Sequence, residues 1–249
     1  MSNSLTRRLI LFLVCFLLCY PFTIRGQERR ILYIGDSITD GNWGGGNGSS
    51  AERNHWDQNH LFGSGYVYLC VAHYTGKYPE KNFTFYNRGI SGHTLKDLEN
   101  RWKEDVLELR PDVLSILVGT NDIHYLLEAK GSSFDWDEWE KRYRRLLDQV
   151  QEENPAVRIL IGSPFVLKAG WSGEAENWPQ RKEWIDECAG ICEKIAADYQ
   201  AIFLPFHRLF EELQNTYTVA PEYWMWDGIH PTPAGHQRMA ELWIEKAGL

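Results

Sequence analysis

At 249 residues, with 24% charged and 43% hydrophobic residues, the chain is sized for one domain with a substantial core. These values exclude a disordered, collagen-like or multi-span membrane protein. The net charge is −8, and removing the three arginines of residues 1–26, which hold no acid, leaves −11 on the remainder. Such an acidic domain argues against nucleic acid or anionic lipid as a partner.

The chain opens with Arg7-Arg8, an uncharged run from Leu9 to Leu18, and Cys19-Tyr20-Pro21. A basic start and a short apolar run read as an export signal over residues 1–26, too short for a comfortable membrane span. No small-residue cleavage site is visible; left uncleaved, the segment would anchor the chain, and that is the only membrane contact expected. Cys15 and Cys19 lack the small preceding residue of a lipidation site. Beyond the signal, Cys70, Cys188 and Cys192 make an odd count, which argues against a disulfide framework in an exported protein. Cys188 and Cys192 lie four apart on one helix face without a second Cys/His pair, so buried free thiols are expected instead of half a zinc site.

From there the chain alternates short apolar runs with amphipathic stretches. The runs Arg30–Ile34, Phe83–Tyr86, Val113–Val118, Val157–Ile161 and Ala201–Leu204 read as buried strands. Residues 61–75, 94–107, 135–153, 179–199 and 233–247 read as helices. Five strands separated by helices predict a parallel sheet covered on both faces, in one domain over residues 27–249. Residues 41–60 and 164–178 break the rhythm with Gly, Asn, Pro and Trp. Both follow a strand's C-terminal end, where open α/β sheets place their ligands.

Four short blocks share that location: Gly35-Asp36-Ser37, Asn87-Arg88-Gly89-Ile90-Ser91-Gly92, Gly119-Thr120-Asn121-Asp122 and, before the last helix, Asp227-Gly228-Ile229-His230-Pro231. Acyl transfer needs a hydroxyl nucleophile, an imidazole base, a carboxylate to orient it and donors for the oxyanion. Ser37, entering a turn at a strand end, suits the first role. Asp227 and His230, three apart in one loop, suit the acid and the base. Backbone N–H groups near Ser37 and at Gly89, with the Asn121 amide, are the candidate oxyanion donors.

In this order, the four blocks resemble the SGNH (GDSL) hydrolases, with Ser37, Gly89, Asn121 and His230 at the namesake positions; the resemblance covers nearly all of residues 30–248. It implies an α/β fold, a flavodoxin-like three-layer α/β/α sandwich around a five-stranded parallel sheet, and a Ser–His–Asp esterase with Ser37, Gly89 and Asn121 as its oxyanion hole. Neither metal nor cofactor is expected. The second block, running on through His93-Thr94 to Arg101-Trp102, resembles the branch that contains bacterial acetylxylan esterases.

Other residues invite competing readings. Asp36 is expected to bond local backbone, since Asp227 has the fixed spacing to His230. Ser91 nearly forms a G-x-S-x-G elbow, but His93 stands where the last glycine belongs. Gly44-Gly45-Gly46 lacks the ending of a phosphate loop. His55 and His60 lack the carboxylates of a metal site. Trp43, Trp56, Trp171 and Trp226 flank the catalytic strand ends, and flat aromatic surfaces with a polar edge suit stacking on sugar rings. Residues 41–60 are polar where a lipase would present aliphatic loops. A short acyl ester, foremost acetyl, on carbohydrate is therefore the expected substrate. The rivals are a lysophospholipase or thioesterase on the same fold and a non-catalytic carbohydrate-binding relative.

Overall fold

A computed structural model describes residues 28–41, 61–131 and 133–249. The export signal at 1–26 and the candidates Trp43 and Trp56 lie outside the described residues. Five strands, β1 (Arg29–Gly35), β2 (Phe83–Gly89), β3 (Val113–Leu117), β4 (Arg158–Gly162) and β5 (Ile202–Leu204), form one parallel sheet in the order β2-β1-β3-β4-β5. Each predicted apolar run is a strand, with ends shifted by a few residues. Burial on both faces explains the runs: all five residues of β3 are buried.

Two cores flank the sheet. On one face Ile31 and Tyr33 pack against α2 (Tyr66–Lys77), α8 (Phe206–Thr216) and α9 (Pro233–Ala247). On the other, Leu32 and Ile34 pack against α3 (Leu95–Trp102), α5 (Trp136–Glu153) and α7 (Trp178–Asp198). This is the three-layer α/β/α sandwich expected from the sequence. Cys70, Cys188 and Cys192 are free and fully buried, Cys188 and Cys192 on the inner face of α7.

Four helices lie outside the predicted stretches: α1 (Ser37–Asp40), α4 (Thr120–Glu128), α6 (Gly170–Glu174) and α8. Helix α3 passes directly into a π-helical turn, Lys103–Leu107, so the predicted 94–107 stretch is helical throughout but changes pitch. The chain leaves β1 toward β2 and then crosses back to β3 on β1's other side. That reversal opens a crevice at the C-terminal tips of β1 and β3, where ligands of doubly wound sheets bind. The tips are level, with Gly35 paired to both Gly89 and Leu117.

Candidate active site

Ser37 stands at the tip of β1, and the residue before it puts it there. Asp36 leaves the strand in an extended conformation and its Oδ1 accepts the Ile38 N–H at 3.0 Å, capping the single turn of α1. Ser37 thus becomes the first helical residue, and its own N–H has no partner among the described residues. Burial lifts the Asp36 carboxyl to about 7 despite the Ile38 N–H. A carboxyl raised in the folded state loses stability as pH rises from its unfolded value near 4 through about 7. Asp36→Asn, which keeps the capping oxygen, is expected to flatten the fall in melting temperature across that window. Calorimetric scans of both proteins at several pH values check it.

His230 and Asp227 come from a tight hairpin. Met225 and Pro231 form an antiparallel bridge, Trp226 N–H donates to the His230 carbonyl at 2.9 Å, and the loop docks through Leu167 N–H to the Gly228 carbonyl. Within it, Asp227 Oδ1 accepts the Ile229 and His230 backbone N–H groups at 2.9 and 2.8 Å. Its Oδ2 lies 2.8 Å from His230 Nδ1, and His230 Nε2 lies 2.9 Å from Ser37 Oγ. With Nδ1–H donating to the carboxylate, Nε2 is left to accept the serine proton. Burial alone would raise the Asp227 carboxyl, but the hydrogen bonds from His230 outweigh it and hold the group at about 2. Ser37, His230 and Asp227, read from two blocks of sequence, therefore form one continuous hydrogen-bonded chain. Ser91 points elsewhere, its hydroxyl donating to Asp40 Oδ2 at 3.2 Å.

One expected residue must be replaced. The N–H of Gly89 is not directed into a hole; it donates to Asn87 Oδ1 at 3.0 Å. Gly89 is the last residue of β2 and lies under α1, where a Cβ would sit 2.2 Å from Asp40 N. The glycine is there because α1 crosses it. Gly89→Ala is accordingly expected to cost about 1–3 kcal/mol or more by overpacking, read as a lower melting temperature. The glycine free to donate is Gly92, in the turn closed by His93 N–H to the Ile90 carbonyl at 3.2 Å. At φ +81° it adopts a conformation that L side chains rarely take, and its N–H has no partner among the described residues. In the structure β2 runs three residues beyond the predicted Phe83–Tyr86, through Gly89, which leaves Gly92 in the turn beyond it.

Asn121 opens α4 on the β3 tip. Its Nδ2 donates one hydrogen to the His93 carbonyl at 3.1 Å, which pins the amide beside the Gly92 turn and leaves the second hydrogen without a partner among the described residues. Asp122 ties the same two blocks from behind, accepting the Leu95 N–H at 3.2 Å and the Trp139 indole N–H at 3.0 Å. Arg101 binds three pieces at once: Nη2 to the Gly35 carbonyl at 3.1 Å, Nη1 to the Arg88 carbonyl at 2.8 Å, and Nε to His93 Nδ1 at 3.1 Å. Asp105, in the π-helical turn, holds that guanidinium at 2.6 Å.

Beside Ser37 and His230 lies a cavity of about 150 Å³, walled by Ile38, Pro231, Pro233, Trp226 and His236 among others. Trp226 is 54% exposed at its edge. Trp171, 47% exposed on α6, rests against His124 at 5.6 Å between ring centroids and lies over the Arg181 guanidinium, also at 5.6 Å. His124 and His236 near the catalytic pair went unread in the sequence, where isolated histidines carry no pattern.

A profile of the GDSL-like lipase/acylhydrolase family matches residues 33–238. The chain belongs to this family. The acylhydrolase is 32% identical to an acetylxylan esterase of Geobacillus stearothermophilus over 90% of this chain and 95% of that protein. Its fold matches the crystal structure of a protein described as a GDSL-like lipase from Parabacteroides merdae, with a TM-score of 0.77 and 33% identity over 88% of this chain and 95% of that one. It also matches a catalytic mutant of Axe2, an acetylxylan esterase from Geobacillus stearothermophilus, with a TM-score of 0.73 and 28% identity over 89% of this chain and 94% of that one. Catalytic mutants of Axe2 replace an aspartate, a histidine three residues beyond it, and a serine. Membership makes this chain an acylhydrolase acting on carboxylic esters.

Proposed function

We propose that this acylhydrolase is an exported esterase that removes short acyl groups, acetyl foremost, from carbohydrate. The observation that carries the reading is the hydrogen-bonded chain Ser37–His230–Asp227 at the edge of a small cavity whose rim is an exposed Trp226. A cavity of about 150 Å³ has room for an acetyl ester. Flat exposed indoles at Trp226 and Trp171 suit pyranose faces. The likeness to acetylxylan esterases points the same way. Export rests on the basic, then apolar, start of the sequence.

The chemistry follows from the geometry. Ser37 Oγ attacks the ester carbonyl while its proton passes to His230 Nε2, and Asp227 stabilises the imidazolium. The Ser37 and Gly92 N–H groups and the free amide hydrogen of Asn121 receive the oxyanion. Collapse expels the sugar hydroxyl, protonated by His230. Water, deprotonated by the same imidazole, then releases the acid and restores Ser37. Asn121→Ala is expected to lower kcat by about 10²–10³ with KM little changed, the usual loss for one oxyanion donor; steady-state kinetics on p-nitrophenyl acetate check it. A variant that instead raised KM would assign Asn121 to ground-state binding.

Acetate release from a panel of acetylated plant polysaccharides tests the substrate class, and a nitrophenyl ester series from acetate to octanoate tests the acyl length. A steep fall with chain length is expected. Preference for octanoate would make the protein a lipase-type acylhydrolase, and no hydrolysis of any ester would leave a carbohydrate-binding relative.

A further inference from the structure

We propose that His236 is a specificity-determining residue, its Nε2–H donating a hydrogen bond to a sugar hydroxyl beside the esterified carbon. This rests on the carbohydrate reading and names the contact that enforces it.

Three observations meet on this ring. His236 lines the same cavity as Ser37 and His230. Its Nδ1 accepts the backbone N–H of Tyr66, the first residue of α2, at 3.1 Å. An N–H can be accepted only by an unprotonated nitrogen, so the ring proton resides on Nε2. That Nε2 has no protein partner among the described residues, nor is it sealed among the buried polar atoms that lack one. The edge bearing Nδ1 and Cε1 packs on Gly65 and the start of α2, which turns the remaining edge to the cavity. Burial, and then the proximity of His230, lower the His236 imidazole to about 4, so it stays neutral at neutral pH and keeps one donor.

The chemistry of the walls says what that donor is for. The side chains of Ile38, Pro231 and Pro233 and the Trp226 ring offer no acceptor; of the hydroxyls on the wall, Ser37 is engaged with His230 and Ser64 donates to the Gly41 carbonyl at 2.6 Å, and an acetyl methyl group has no acceptor either. A donor closed into such a site without a partner is penalised, so binding is rewarded only when the substrate brings an oxygen. In an acetylated pyranose, that oxygen is the hydroxyl on the carbon next to the ester. A simple alkyl or aryl acetate reaches Ser37 without offering it.

The test is a cycle between residue and substrate. Hydrolysis of a mono-acetylated methyl pyranoside with a free neighbouring hydroxyl is compared with that of the same glycoside deoxygenated at that carbon. The wild type is expected to favour the hydroxyl substrate about tenfold in kcat/KM, the loss typical of one hydrogen bond. In His236→Asn, whose carbonyl can still accept the Tyr66 N–H but whose side chain is too short to reach the cavity, the ratio is expected to fall to about one. His236→Gln, which places an amide N–H near the Nε2 position, is expected to restore part of it. A ratio that stays near ten in His236→Asn, whatever its overall activity or melting temperature, assigns His236 to holding α2 and overturns the proposal. A wild-type ratio near one overturns it without any variant. A wild type that cleaves p-nitrophenyl acetate but neither glycoside ends the carbohydrate reading itself, and this contact with it.

Discussion

Ser37→Ala is expected to lower kcat for ester hydrolysis by about 10⁶, the loss typical when the nucleophile is removed from a triad that works as a unit. The fold should be unaffected. Among the described residues the Ser37 hydroxyl makes one hydrogen bond, to His230 Nε2, while α1 is capped by Asp36 and closed by Gly41 N–H to the Ser37 carbonyl, neither of which the substitution touches. Ser91→Ala is the matched control because its hydroxyl, among the described residues, reaches Asp40 and not His230. Rates with p-nitrophenyl acetate and thermal melts of both variants decide the matter. An active Ser37→Ala, or loss of activity with Ser91→Ala alone, would remove Ser37 from the mechanism.

Asp227→Asn should cost about 10⁴ in kcat, and here the geometry dictates the reason. Asp227 Oδ1 accepts two backbone N–H groups, from Ile229 and His230. An asparagine must keep its carbonyl oxygen at that position, so its NH₂ faces His230 Nδ1. That nitrogen then has to accept, the ring proton moves to Nε2, and the base presents a hydrogen to Ser37 where it needs a lone pair. His230→Ala should be at least as inactive. Stability gives a second readout. Because Asp227 is held at about 2, below its unfolded value near 4, it stabilises the fold above pH 4, and that contribution is lost as pH falls through about 2. The asparagine variant should lack that acid-side loss. Near-full kcat/KM in Asp227→Asn would mean that another group orients His230.

The strands and long helices were legible because burial writes them plainly. Strands covered on both faces become unbroken apolar runs, as at β3, and helices such as α5 repeat Trp139, Tyr143, Leu146, Leu147 and Val150 toward one core. Helix α1 was not legible as a helix: a single turn has no period, and only the Asp36 cap marks it. Helix α8 does repeat Phe206, Phe210 and Leu213 on one face, but it follows β5 after Pro205 alone, with no loop to announce it. At the site, the hydrogen-bonded chain of Ser37, His230 and Asp227 was readable because Asp227 and His230 are local to each other and Ser37 ends a strand. Gly89 was read as an oxyanion donor, but its N–H is taken by Asn87 Oδ1. The block holds two glycines, and only the crossing of α1 over the β2 tip, a tertiary fact, tells which one is spent on packing. His236 is a tertiary fact as well, since its partner Tyr66 lies 170 residues away.

Arg101 joins the β1 tip, the β2 tip and the imidazole of His93 with one planar group. Burial and the guanidinium keep His93 neutral, so the strut carries no second charge to repel it. The His93 carbonyl in turn receives Asn121. Ser37 and the Asn121 amide are thus set at fixed spacing before any substrate arrives, and little organising entropy remains to be lost at the barrier. Trp226 and Trp171 project from the hairpin and from α6, outside that braced triangle. New ester-bearing molecules can then be accommodated by exchanging rim side chains alone, with the reacting machinery inherited unchanged.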